Sequence, residues 1–314
     1  MVRGFSDGQH RPRAHDAHGF VFDVLESDDA TRTMQIALRP DPRRYEAYEK
    51  GGKTYYRDRY LGFHYGPEVI AQMAQKMAGT PVHYLAPSVE NSEAYAAIRC
   101  EAVRHEISTG EYIAPEEDAD EHQSLSPNAR RAMTFISVDI CGSTKLRAKM
   151  PVEFDQAFTI LIKELGTVVG QFHGTMFKLT GDGFLAYIDH PSFNSACDQT
   201  VDMCLTFLVV LRDSINPALK ESGLPELSIR VGAYFGDATI RSLSIPKTGF
   251  STTDIASDAL NRAAKVQGSC NPNELRVGRN LYELLHVQWL ERTVQVPLNS
   301  DALGQDEYPV YRVI

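Results

Sequence analysis

Cysteine is scarce and unpatterned in this chain: Cys100, Cys141, Cys197, Cys204 and Cys270 are scattered, with no Cys-x-x-Cys pair. An odd, dispersed set argues against a disulfide framework and predicts free thiols in a reducing cytoplasm. Basic residues are outnumbered, 32 Lys and Arg against 41 Asp and Glu, and the net charge of −9 excludes a broad electrostatic surface for DNA or RNA. A local basic pocket for one anionic ligand is compatible with that balance. No uninterrupted apolar run reaches the length of a membrane span. The opening stretch MVRGFSDGQHRPRAHDAHGF has no apolar centre of the signal-peptide type. The expectation is a soluble, cytoplasmic protein with neither a nucleic-acid nor a membrane partner.

What is present suits two domains. The 314 residues are 43% hydrophobic and 23% charged, ordinary values for a globular chain. Residues 1–20, rich in His, Arg and Gly, are predicted to form a mobile tail. Residues 21–108 form an N-terminal region of unassigned role. In it TRTMQIALR has strand character, and PEVIAQMAQKMAG places Val69, Ile70, Met73 and Met77 near helical spacing with Gly79 as the stop. NSEAYAAIRCEAVRHEI offers Asn91 as N-cap and Ala96, Ile98, Cys100, Val103 and Ile107 as an apolar helix face. The acidic stretch 109–130, with breakers Pro115 and Pro127, reads as a linker.

From residue 131 the pattern alternates between strand and helix. Met133–Val138 reads as a buried strand and Val152–Val169 as a helix preceded by Pro151. Gly174–Leu179 and Phe184–Ile188 flank Thr180-Gly181-Asp182-Gly183, a hairpin signal. Ser195–Ile215 is a long amphipathic helix, Leu227–Phe235 a strand with Gly232 inside it, and Thr253–Gln267 a helical segment opening near Asp254. The order βαββαβ followed by an extra αβ portion predicts an α+β fold with an antiparallel sheet.

Two aspartates stand out in this frame. Asp139 ends a strand in FISVDICGSTKL, and Asp182 sits in the hairpin of FKLTGDGFLAYI. Carboxylates so placed can converge on two Mg²⁺ or Mn²⁺ ions, which would bind a nucleoside triphosphate and activate a hydroxyl. The bland alternative is that Asp182 makes an Asx turn and Asp139 caps a helix. The run Cys141-Gly142-Ser143-Thr144 follows the first aspartate into a helix, where backbone N–H groups can cradle phosphate. Arg230 opens RVGAYFG; taken alone it reads as a solvated arginine near a strand end.

FISVDICGSTKL, KLTGDGFLA, RVGAYFGDA and DIASDALNRAAKV stand in the order found in class III nucleotidyl cyclases, and the resemblance spans about residues 130–290. It implies an α+β catalytic domain over 131–314, a ferredoxin-like βαββαβ core with extra αβ elements, preceded by the smaller α/β N-terminal region. It also implies a homodimer with active sites at the interface. Asp139, Ile140 and Asp182 would hold two divalent ions, Mn²⁺ or Mg²⁺. Ile140, Gly142, Ser143 and Thr144 would meet the phosphates, and Arg230 the triphosphate. Lys178 and Asp254 would contact the base, Asn261 the ribose or transition state, and Lys265 the transferring phosphoryl group. The family usually places arginine at that last position; Lys265 keeps the charge and loses the fork. No lysine follows Lys265, although many relatives use a C-terminal lysine on the triphosphate; Arg276, Arg279 and Arg292 are the candidates to replace it. The implied reaction is attack of the ribose 3′-hydroxyl on the α-phosphorus, releasing pyrophosphate and a 3′,5′-cyclic nucleotide.

The base is constrained by the Lys178/Asp254 pair. Lysine donates and aspartate accepts, which fits N1 and the amine of adenine, N3 and N4 of cytosine, and the carbonyl and N3–H of uracil; guanine reverses that edge. At the level of the whole chain the sequence resembles the bacterial pyrimidine cyclases of Pycsar antiphage systems, which implies cyclic UMP or cyclic CMP as an alarm signal and a separate effector that it activates; the expected substrate is UTP, with ATP as its main rival. The competing readings are an adenylate cyclase and a catalytically silent cyclase-like regulatory module. A diguanylate cyclase would carry a GGDEF or GGEEF turn, which Gly181-Asp182-Gly183-Phe184 is not.

Overall fold

The computed structural model describes residues 16–17, 19–28, 33–78, 86–115, 128–297 and 308–314. Most of the expected tail, the expected helix stop Gly79, and residues 116–127 of the expected linker lie outside the described residues. The chain divides into two compact units, Met1–Tyr84 with Glu283–Arg292, and Leu85–Tyr282 with Thr293–Ile314. The first unit thus ends ahead of residue 108, where the sequence reading set its boundary, and takes in a later segment.

In the first unit, β1 (Asp16–Ala17), β2 (Phe20–Asp28) and β3 (Thr33–Pro40) form one antiparallel sheet. A second contains β4 (Tyr45–Lys50), β5 (Lys53–Asp58) and β6 (His64–Tyr65), followed by helix α1 (Pro67–Ala78). Asp58 organises the turn after β5: its carboxylate accepts from the Tyr60 and Leu61 amides and from Arg44 Nε at 2.9 Å. Arg44 also donates to the Leu285 carbonyl at 3.4 Å, in the later segment of this unit, where Trp289 is buried.

The second unit opens with α2 (Ser92–Thr109), capped as expected by Asn91, whose side chain accepts from the Ala94 amide at 2.7 Å. Its inward face differs from the expected one. Arg99 and Glu106 are buried beside Ala96, Cys100 and Val103, whereas Ile98 is 70% exposed. The reason is charge pairing: Arg99 grips the buried Glu164 through two bonds, 2.8 and 2.6 Å, and Glu106 receives Lys163 at 2.5 Å.

Then come β7 (Arg130–Ile140), α3 (Ser143–Lys149), α4 (Pro151–Gln171), β8 (Thr175–Leu179), β9 (Gly183–Ile188), α5 (Phe193–Val210), α6 (Asn216–Glu221), β10 (Ile229–Ile245), β11 (Phe250–Ala256), α7 (Asp258–Gly268), β12 (Glu274–Gly278), α8 (Arg279–Tyr282), β13 (Thr293–Val296) and β14 (Val310–Val313). A π turn, Leu211–Ile215, joins α5 to α6 just ahead of Pro217, which cannot donate a helical N–H. The strands form one sheet in the order β13-β14-β12-β10-β7-β9-β8, with β11 paired to β10. All pairs are antiparallel except β10 with β12, whose crossover is carried by α7.

Strand β7 shows how the sheet is covered. Met133 and Phe135 face an apolar cluster with Ala259, Ala263 and Val266 of α7. Thr134, one residue out of phase, turns to the other side and meets Thr200 of α5 at 2.6 Å. Two expectations are corrected here. The strand expected at Leu227–Phe235 runs on to Ile245, forming a ribbon with β11 beyond the end of β7. The segment expected as a helix from Thr253 is a strand up to Ala256; the helix starts only after Ser257, whose hydroxyl accepts from the Leu260 amide at 3.3 Å. Phe-Ser-Thr-Thr-Asp-Ile carries three β-branched residues, Thr252, Thr253 and Ile255, which suits a ribbon better than a helical turn. No helix among the described residues is long and apolar enough to cross a membrane.

Candidate active site

Pairing alone brings the two aspartates together. Asp139, the penultimate residue of β7, lies opposite Gly183 of β9 on one side and Arg230 of β10 on the other. Asp182 immediately precedes Gly183, and its carbonyl accepts from the Ile140 amide at 3.1 Å. The turn between β8 and β9 is closed by Thr180 N–H to Gly183 O at 2.9 Å, with Gly181 at φ +83° where other residues would be strained. Gly183 has no substitute: a Cβ there would fall 1.9 Å from the Val138 carbonyl oxygen.

Around this pair the structure assembles several of the expected side chains. The Ser143 hydroxyl donates to the Asp182 carboxylate. Gly142, at φ +68°, makes the turn that leads into α3. A cleft of about 400 Å³ opens beside them, lined by Ser143, Thr144, Arg147, Ala148, Gly181 and Asp182. Arg147 was not singled out from the sequence, although it follows Ser143 by one helical turn and so shares its side of α3. Arg230 extends to the Asp139 carboxylate, forming an ion pair. Gln267 of α7 also reaches Asp139, its Nε2 lying 3.4 Å from Oδ2. Nothing in the sequence marked Gln267 as distinct from a helix-surface amide.

Burial pushes the Asp139 carboxyl above its usual range; the hydrogen bond from Arg230 opposes this, and the neighbouring Asp182 adds to it. Two like charges in a half-buried corner favour a cation. Among the described residues no three His, Cys, Asp or Glu side chains gather into a metal cluster. The donor set is therefore two carboxylates and nearby backbone, all hard oxygen. That fits Mg²⁺ or Mn²⁺, ions commonly held by one or two carboxylates together with substrate phosphates.

The remaining expected residues lie elsewhere in the same chain. Lys178 is exposed on β8, and Asp254 is on β11 opposite Arg241. Their neighbours Phe177 and Ile255 pack on one apolar cluster, while β10, β7 and β9 lie between β11 and β8 in the sheet. Asn261 and Lys265 project outward from α7, whose buried side is Ala259, Ala263, Val266 and Gln267. No hydrogen bond or ion pair among the described residues joins these four to Asp139 or Asp182. Of the three arginines considered in place of a C-terminal lysine, Arg276 is held by Glu274 on β12, Arg279 begins α8, and Arg292 belongs to the first unit.

Comparison with known proteins agrees with this layout. The family model described as adenylate and guanylate cyclase catalytic domain matches residues 126–308. A cytidylate cyclase of Staphylococcus aureus is 24% identical over 187 residues, 58% of this chain and 44% of that protein. A cytidylate cyclase of Escherichia coli is 24% identical over 162 residues, 47% of this chain and 34% of that protein. The chain thus matches less than half the length of either curated relative. Among solved structures, the adenylyl cyclase CyaB from P. aeruginosa superposes with a TM-score of 0.51 at 18% identity, covering 59% of this chain and 95% of that one, a likeness of fold. With more than half its length matched by the family model, and with the paired carboxylates at the end of the central strands, this chain belongs to the adenylate and guanylate cyclase catalytic domain family, the class III nucleotidyl cyclases.

Proposed function

We propose that the chain converts a pyrimidine nucleoside triphosphate to its 3′,5′-cyclic monophosphate and pyrophosphate. The observation that carries the cyclase chemistry is the meeting of Asp139 and Asp182 at the ends of β7 and β9, beside a cleft of about 400 Å³ lined by Ser143, Thr144 and Arg147. Two divalent ions bound by the carboxylates, with the Ile140 backbone beside them, would polarise the α-phosphoryl group and acidify the 3′-hydroxyl. The chain's own residues do the rest. Gly142 permits close approach of backbone to the phosphates, Ser143, Thr144 and Arg147 bind their oxygens, and Arg230 exchanges Asp139 for the triphosphate.

Lys178 and Asp254 read the base, Asn261 orients the ribose, and Lys265 offsets charge developing on the transferring group. Because the last two point away from the carboxylates of their own chain, a homodimer supplies them to the partner's site, giving two symmetric sites. The exposed apolar tip of the β10–β11 ribbon, Leu243, Ile245 and Phe250, supports such an association.

Lys178 and Asp254 suit uracil and cytosine alike. UTP, giving cyclic UMP as an antiphage second messenger for a separate effector, is the substrate we assign. CTP is the second reading, favoured by relatives that are named cytidylate cyclases. The test is to incubate purified protein with ATP, GTP, CTP and UTP in Mn²⁺ and to identify products by mass spectrometry. Cyclic UMP is expected, and cyclic CMP would move the assignment to CTP. Cyclic AMP would make the chain an adenylate cyclase, and absence of any product would leave a silent regulatory module.

A further inference from the structure

Asp139 is held in an uneven way. Both of its donors, the Arg230 guanidinium and Gln267 Nε2, address the same oxygen, Oδ2. The carboxyl also lies against that of Asp182, the other acidic group of the site. Gln267 is only 8% exposed, on the buried side of α7, so its amide must find a partner inside the protein, and Asp139 is that partner. Its position depends on Gly232: a Cβ at that point of β10 would fall 2.2 Å from the Gln267 backbone nitrogen and 2.5 Å from the Ala263 carbonyl oxygen. A bare glycine in the strand lets α7 press onto the sheet closely enough for Gln267 to reach the carboxylate.

From this geometry we infer that Gln267 is a positioning residue for the metal-binding carboxylate. A carboxylate ligand works best when one oxygen is tied down by neighbouring donors, so that the lone pairs of the other are aimed at the cation. Arg230 and Gln267 together make that tie, and when Arg230 turns to a bound triphosphate, Gln267 keeps it. The inference rests on the metal-binding reading of Asp139 proposed above.

The experiment is an electron paramagnetic resonance titration of nucleotide-free protein with Mn²⁺, which reads metal affinity without turnover. Gln267→Met keeps the length and removes the donor; Gln267→Asn keeps the amide and shortens its reach, and carries the test if the Met variant does not fold. Each is expected to bind Mn²⁺ about 10-fold more weakly than the parent, the loss typical of an outer-shell partner, with the metal-free melting temperature unchanged. If the parent binds Mn²⁺, Asp139→Ala abolishes binding, and a folded Gln267 variant keeps parental affinity, the positioning role is wrong while the metal site stands. If the parent itself binds no Mn²⁺, both readings fall together.

Discussion

A carboxylate pair that the fold forces together calls for positive charge, and Arg230 supplies part of it at Asp139. Asp139 and Asp182 are fixed by backbone pairing, not by a choice of rotamer, and Gly183 between them admits no side chain. Removing either should therefore disturb chemistry more than structure. Asp139→Ala and Asp182→Ala are expected to lower cyclase turnover by about 10²–10³-fold or more, the scale of losing a preorganised charge-stabilising group. Their thermal melts should stay close to the parent's, and full activity in either variant would remove the carboxylates from the mechanism. These two residues were legible because a strand end and a Gly-Asp-Gly hairpin are local signals. Gln267 was not, since a helical amide carries no pattern of its own. Its trace in the sequence was Gly232, a glycine inside a strand, which marks close approach of another backbone without saying whose.

Among the elements, α2 shows where pattern reading fails and why. Its extent and its Asn91 cap follow from the sequence, but a charged residue is counted as outward-facing unless a partner is known. Arg99 and Glu164 lie 65 residues apart and complete each other inside the protein, 3% and 0% exposed. Arg99→Ala would leave a buried carboxylate unpaired, which typically costs about 3–5 kcal/mol, whereas replacing both partners by Met costs far less. Urea unfolding of Arg99→Ala and of the Arg99→Met/Glu164→Met pair measures the difference; equal midpoints for the two would show that the ion pair does not hold α2. The strand–helix join at Ser257 was missed for a related reason. Asp254 and Ser257 both suit an N-cap, and only pairing with β10, a non-local contact, decides between them.

For the whole molecule, the central question is how one chain makes a complete site. Asn261 and Lys265 lie on the exposed side of α7 and Gln267 on its buried side, so in the proposed dimer the helix would serve one site with its buried face and another with its exposed face. Mixing Asn261→Ala with Asp139→Ala, each inactive as its own dimer, is expected to restore one working site per heterodimer, read as recovered cyclic nucleotide. Failure in verified heterodimers would rule out shared sites.

The division of the chain adds a constraint of a different kind. After β12 and α8 the polypeptide leaves the cyclase unit for Glu283–Arg292, then returns to lay down β13 and β14 at the sheet's edge. A ribosome therefore delivers the final piece of the first unit before the last two strands of the second. Neither unit is complete when the other begins to fold, and the usual order of one domain finished before the next does not apply. For the same reason no single proteolytic cut separates them: the backbone passes between the units three times, at 84–85, 282–283 and 292–293.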